Sequence, residues 1–336
     1  FVIRLTNSTG IAEPSPSLRS GRTAFRIAKG VPNNIKSYIF VRNTWRLVMS
    51  TQFRKPKILN DKKNHALSRV NSKKPVTFLS KANFQQIAHE LSTTTGVATG
   101  PDGISLASLT SRELEIKTTK LLKSIKNESY KPGPTKPVNI TKLDGGIRTI
   151  QVSNHIDKIP QRACLKALTP SMESRFVDWS YGFRPNRSHN MIFEKIADGY
   201  RNGLVYACHY DVVKAFDTVR VSSLRRLLSQ LSGFEPEVMA LTKTLLLGTN
   251  PDRLVGVNQG EALSGLLFNF YVNEFHDVKI NKELGEEVQI YRYADDLCVI
   301  GKSKDLVEQT VTKSINYLNE ANLEVVKEEV VDLRSN

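Results

Sequence analysis

Two apolar runs flank a pair of adjacent acids near the end of this 336-residue chain. Val288-Gln289-Ile290-Tyr291-Arg292-Tyr293-Ala294 leads in, Asp295 and Asp296 follow, and Leu297-Cys298-Val299-Ile300-Gly301 leads out. Such a pattern predicts a β-hairpin with carboxylates at its tip. Carboxylates held at a rigid tip cannot retreat into a core, and they repel each other unless a cation sits between them. An Asp-Asp pair alone is most simply a solvated turn. Its meaning therefore depends on what else the chain carries.

Charge is unevenly spread. The whole chain carries +15, and residues 1–74 hold 16 Lys/Arg against only Glu13 and Asp61. Residues 75–336 are close to neutral. The basicity belongs to an N-terminal arm, which suits a polyanion bound by counterion release, RNA or DNA being the expected partner. An organelle-targeting segment is the plainer alternative. Tyr38, Phe40, Trp45 and Phe53 place rings among the bases, as stacking on nucleic acid requires. Three scattered cysteines give neither a disulfide framework nor a zinc spacing, which fits a reducing compartment such as a bacterial cytoplasm or an organelle matrix. No apolar run approaches the roughly 18 residues of a membrane span, so a soluble chain is expected.

Along the chain, residues 1–30 read as extended, 34–50 as a helix and 54–76 as a basic linker. Ser80 opens a helix of near-3.6 spacing that runs to Leu91. Ala98–Gly103 reads as a loop and Ser111–Ile125 as a second helix. A hairpin is expected from Pro137–Leu143 and Ile147–Val152, turning at Asp144-Gly145-Gly146. Then follow a helix at Asp157–Leu168, a strand at Leu204–Val212, helices at Val219–Leu231 and Leu263–Asp277, and the acid hairpin. Val307, Val311, Ile315 and Leu318 form a final helical stripe, with Ser303 as its N-cap. The order predicts an α+β fold, an antiparallel sheet backed by helices with a smaller subdomain before it.

Leu204 to Asp211 reads as a strand ending in an acid, 84 residues before Asp295. Set beside the hairpin acids, Asp211 would complete a site for two divalent ions. Gln259-Gly260 is a tight turn into an apolar helix, where backbone and amide groups can approach a flat base or sugar. In this order the segments resemble the reverse transcriptase family. Asp211-Val212-Val213-Lys214-Ala215-Phe216 resembles its motif A, Gln259-Gly260 with Leu263-Ser264 its motif B, and Tyr293-Ala294-Asp295-Asp296 its motif C. Gly100-Pro101-Asp102-Gly103-Ile104 and Ser180-Tyr181-Gly182-Phe183-Arg184-Pro185-Asn186-Arg187-Ser188 resemble the group II intron branch.

The resemblance implies a right-hand polymerase: residues 77–200 as fingers with part of the palm, and 201–336 as palm. The basic arm spans 1–76, and no thumb is evident. It implies RNA-directed DNA polymerisation with two Mg²⁺ ions, Mn²⁺ being an alternative, on RNA, dNTPs and a DNA product. Asp211, Asp295 and Asp296 match the metal ligands, and Phe216 the steric gate against a ribose 2′-hydroxyl. Gln259 matches the residue lying against the nucleotide, and Lys142 and Arg148 the fingers bases on the triphosphate. Read from the residues alone, Lys142 and Arg148 are also ordinary hairpin cations. Arg184 and Arg187 either bind template phosphates or brace the palm through acids. Three positions depart from the family: Glu261 adds charge beside the nucleotide, Gly265 stands where Pro is usual, and Glu329 stands where a motif D Lys is usual. Lys327 would substitute only by a register slip. These departures support an alternative, an RNA-binding scaffold in a ribonucleoprotein such as an organellar ribosome, with a protein or RNA partner in place of the thumb. A polymerase of bacterial antiphage defence would share the chemistry.

Overall fold

A computed structural model describes residues 77–93, 98–141 and 146–335, with the backbone of 35–41 and 44–49. The chain forms two units, Phe1–Pro75 with Asp332–Asn336, and Val76–Val331.

In the first unit, β1 (Ile35–Val41) pairs antiparallel with β2 (Thr44–Met49), from Ile35↔Met49 to Val41↔Thr44. The helix expected over 34–50 is therefore a hairpin. Ile35, Tyr38, Ile39, Phe40, Val41, Thr44, Trp45 and Val48 are β-branched or aromatic, types that lose rotamer freedom in a helix and suit a pleated surface. Only Arg42 and Asn43 separate the strands, the spacing of a tight hairpin.

The second unit begins with α1 (Lys81–Ser92), where the Ser80 hydroxyl accepts from Asn83 N at 3.3 Å. α2 (Ser111–Lys126) opens on a capping box of Thr110 and Glu113. β3 (Lys136–Thr141) and β4 (Ile147–Val152) form the next hairpin. Its expected turn at Asp144-Gly145 lies outside the described residues. α3 (Lys158–Glu173) and α4 (His189–Arg201) follow, then β5 (Tyr206–Val212), α5 (Ala215–Thr218), α6 (Val221–Ser229) and α7 (Pro236–Leu247). α8 (Ala262–Val272) passes through a π-turn at Asn273–Asp277 into α9 (Val278–Asn281). The acid hairpin is β6 (Val288–Tyr293) and β7 (Asp296–Gly301), followed by α10 (Lys304–Glu320) and β8 (Val325–Lys327).

The sheet runs in the order β6-β7-β5-β8, with antiparallel neighbours. This is the expected α+β architecture. α10 backs the sheet through buried Val307, Val311, Ser314 and Leu318. Residues Leu263 to Val272 of α8 are all buried, as a helix that is apolar all round must be. Two helices, α4 and α7, fall where the sequence reading places no element. α4 carries a glycine, Gly199, within its apolar pattern, and α7 starts on Pro236, a helix-opening position for proline. Among the described residues no helix is long and apolar enough to cross a membrane.

Candidate active site

Strand register brings the three candidate acids to one place. Asp211 is directly opposite Asp296 across β5 and β7, so both carboxylates stand on one face, their Cβ atoms about 5 Å apart. Tyr293 and Asp296 close the hairpin, leaving Ala294 and Asp295 as a two-residue turn. Val212 N donates to Asp295 O at 3.1 Å, tying the turn to the end of β5.

The turn is held from beneath. Ala294 has φ 59°, a left-handed conformation that costs a residue with a Cβ about 1–2 kcal/mol. Arg292 Nη1 donates to Ala294 O at 2.9 Å and so fixes it. The preceding segment threads under the turn, with Tyr181 N donating to Arg292 O at 2.8 Å. A Cβ on Gly182 would lie 2.3 Å from Ala294 N, so only glycine permits this approach. Gly182→Ala is expected to cost about 2 kcal/mol or more, by the overpacking it forces. Urea unfolding of the variant against wild type measures it, and an unchanged midpoint would show that the turn yields freely.

A second residue braces Asp296. His209 lies two residues before Asp211 on the same face of β5. Its Nε2 is 3.4 Å from Asp296 Oδ1, and its Nδ1 is 3.2 Å from Glu328 Oε1. Burial favours the neutral ring, but Asp296 and Glu328 outweigh it, and the imidazole pKa lies above its ordinary value. Neither His209 nor Arg292 figures among the sequence candidates. Their signals were a histidine two places before Asp211 and a charged residue inside an apolar strand.

Beside the acids is a cleft of about 330 Å³, whose lining includes Arg148, Phe183, Phe216, Gln259, Glu261 and Asp295. Phe216 enters it because Lys214, at φ 47°, turns the chain sharply after β5. Val257 N then pins Phe216 O at 2.8 Å. Its ring stacks on Phe268, centroids 4.8 Å apart. Gln259 is placed by its own backbone, whose carbonyl accepts from Gln151 N on β4 at 2.7 Å. That bond also fixes the strand carrying Arg148. Gly260, at φ 104°, makes the turn and leaves a Cβ position only 3.2 Å from Gln151 O. Lys142 lies outside the described residues.

Glu261 lines the same cleft. Burial raises its carboxyl pKa, against hydrogen bonds with Asn258 and Gln161 and the charge of Arg253. A carboxyl raised in the fold penalises folding once the unfolded chain has ionised. The penalty grows as pH rises from about 4.3 through the folded value. Glu261→Gln is therefore expected to gain stability relative to wild type between pH 4 and pH 7. Urea midpoints at both values check it, and a constant difference would contradict it.

Arg184 and Arg187 are engaged within the fold. Arg184 is buried; its Nε and Nη2 donate to Glu173 Oε1 at 3.0 and 2.7 Å, and its Nη1 to Val177 O and Ser180 O at 2.6 and 2.7 Å. Arg187 bonds Asp178 and lies over the Tyr181 ring at 5.2 Å. Both arginines thus make bracing contacts within the fold. The motif D question is one of register. Val326 is opposite Asp211 and Lys327 opposite Tyr210, so Lys327 belongs to the other face of the sheet.

Among the described residues, no three His, Cys, Asp or Glu side chains are gathered as a ready-made metal cluster. The donors present are carboxylate oxygens in a facing pair with a third at the adjoining turn. That set fits Mg²⁺, which is held by one or two carboxylates plus substrate phosphates rather than by an all-protein cage.

Residues 140–331 match the protein-family model described as reverse transcriptase (RNA-dependent DNA polymerase). The chain is 33% identical over 188 residues to protein YkfC of Escherichia coli (strain K12), covering 52% of this chain and 48% of that one. It is 27% identical over 182 residues to the putative COX1/OXI3 intron 1 protein of Saccharomyces cerevisiae, covering 49% and 22%. It is 28% identical over 166 residues to the group II intron-encoded protein LtrA of Lactococcus lactis subsp. cremoris, covering 48% and 28%. The chain spans about half or less of the length of these curated relatives. Among solved structures, telomerase from Candida tropicalis with a fragment of telomeric RNA aligns at a TM-score of 0.47 and 16% identity, over 71% of this chain and 48% of that one.

Proposed function

We propose, from the premise that this chain belongs to the reverse transcriptase (RNA-dependent DNA polymerase) family, that it copies RNA into DNA by nucleotidyl transfer. One observation carries the reading: Arg148, Phe216, Gln259 and Asp295, from four separate segments, line one cleft beside the Asp211–Asp296 pair. Asp211, Asp295 and Asp296 would hold two Mg²⁺ or Mn²⁺ ions, which supply activation of a primer hydroxyl and charge neutralisation at the leaving pyrophosphate. Arg148 adds fixed positive charge for the triphosphate of an incoming dNTP, where negative charge builds on the leaving group. Gln259 lies against the nucleotide on a turn fixed to β4. Phe216 excludes a 2′-hydroxyl by bulk. Residues 77–200 serve as fingers with part of the palm, 201–336 as palm, and the basic segment 1–76 holds the RNA backbone.

The test gives the purified chain a primed RNA template, dNTPs and Mg²⁺. Template-directed extension is expected. No extension, with an Asp295→Ala variant behaving the same, would reject the reading. One observation favours a second: Lys327 lies on the far face, and Glu328 stands beside His209 instead. An RNA-binding protein of reduced polymerase activity would bind RNA equally well as Asp211→Ala and lose binding when 1–74 is removed.

A further inference from the structure

We propose that Phe183 is a second aromatic surface, beside Phe216, that this cleft presents to a nucleotide, and that Gly265 is the residue that seats it. The inference rests on the nucleotide-binding reading above.

Phe216 matches a gate position, yet its side chain is mostly covered. It is 8% exposed, stacked on Phe268 and in a perpendicular ring contact with Phe183, centroids 5.8 Å apart at 88°. Phe183 is 53% exposed and lines the same cleft. A half-exposed phenylalanine ring at a cleft wall leaves a large apolar face that a flat base or a sugar can cover. The rings thus form a tier. Phe268 lies in the core, Phe216 rests on it, and Phe183 faces the space a nucleotide would fill.

Phe183 is fixed there from two directions. Its backbone has φ 55°, an uncommon conformation for a bulky residue. The preceding Gly182 lies under the acid turn, and Gly182 O accepts from Asn269 Nδ2 at 2.5 Å. The wall is therefore indexed to Asp295 through Gly182 and Ala294. On the other side, α8 makes room. A Cβ at position 265 would lie 2.7 Å from Phe183 Cγ and 2.8 Å from Cδ1. A Cβ there would push the ring, in its present position, away. In this chain the Phe183 ring occupies the space that a side chain at 265 would need.

The test measures dATP and ATP binding to the full chain with Mg²⁺ by calorimetry, and incorporation of each on a primed RNA template. Phe183→Ala is expected to weaken dATP binding by about fivefold to tenfold. It should also lower the dATP-over-ATP preference by about tenfold. Gly265→Ala gains helix propensity but must displace the Phe183 ring, so its urea midpoint is measured beside its binding. It should shift dATP binding and the dATP-over-ATP preference in the same direction. Since its effect acts through Phe183, the double variant should be no worse than Phe183→Ala alone. Phe183→Tyr should bind dATP as wild type does. Wild-type affinity and preference in Phe183→Ala, or additive effects of the two substitutions, would overturn the proposal while leaving the polymerase reading standing. A wild-type chain that neither binds nor incorporates either nucleotide would overturn both.

Discussion

Asp295→Ala is expected to reduce RNA-templated dNTP incorporation by about 10³-fold or more, because the several kcal/mol that metal ions contribute to such a transition state depend on their carboxylate ligands. The fold should survive. The backbone of Asp295 accepts from Val212 N, and that bond does not need the side chain. Removing one of two adjacent carboxylates also relieves repulsion at the hairpin tip, so the thermal midpoint should stay level or rise. Asp211→Asn should behave alike, since Asp211 shares a face with Asp296. The exposed Asp305, in the first turn of α10, provides the control: its replacement by Ala should leave incorporation unchanged. Primer extension with Mg²⁺, run beside Mn²⁺ binding followed by paramagnetic resonance, separates lost chemistry from lost structure. Full activity in Asp295→Ala would remove these acids from any metal role.

The acid hairpin was legible because its information is local. Period-two apolarity and a turn specify strands that pair with their own neighbours, and β6 and β7 lie where the pattern puts them. Helices with a cap and a stripe were equally plain, as at Ser80 and Ser303. The helix expected over 34–50 is a hairpin instead, because its β-branched and aromatic content favours a pleated surface. Arg184 shows a different limit. An arginine beside a nucleic-acid motif carries the same letter whether it reaches solvent or Glu173, and only tertiary packing distinguishes the two. Likewise, the face of Lys327 is set by its register against β5, a non-local pairing invisible in the segment itself. Phe183 was within a recognised motif, but its link to Gly265 spans 82 residues and needed the fold to appear.

Breaking the Arg292–Asp277 pair is expected to cost about 3–5 kcal/mol, the penalty for leaving one buried charge uncompensated. Both side chains are fully buried. Arg292 Nε donates to both Asp277 oxygens at 3.1 Å, Nη2 donates to Oδ2, and Nη1 donates to Asn269 Oδ1 at 2.9 Å. His276 Nδ1 lies 2.7 Å from Asp277 Oδ1, and its Nε2 lies 2.6 Å from Ser314 Oγ. Burial alone would raise the Asp277 pKa, but the charge of Arg292 and the hydrogen bond of His276 outweigh it and hold it below the ordinary range. A lowered carboxyl contributes stability above its unfolded pKa of about 3.9, and loses it as pH falls through the folded value. Asp277→Asn should thus destabilise at pH 7 by the amount stated, with the deficit shrinking in acid. The double variant Asp277→Leu/Arg292→Met should recover much of the stability, as buried pairs replaced by apolar residues of similar volume often do. Activity should not return with it, because Met cannot donate to Ala294 O and the turn carrying Asp295 loses its brace. Urea unfolding and primer extension on wild type and these two variants decide between a packing role and a positioning one. Stability and activity recovering together would show that the pair serves the core alone.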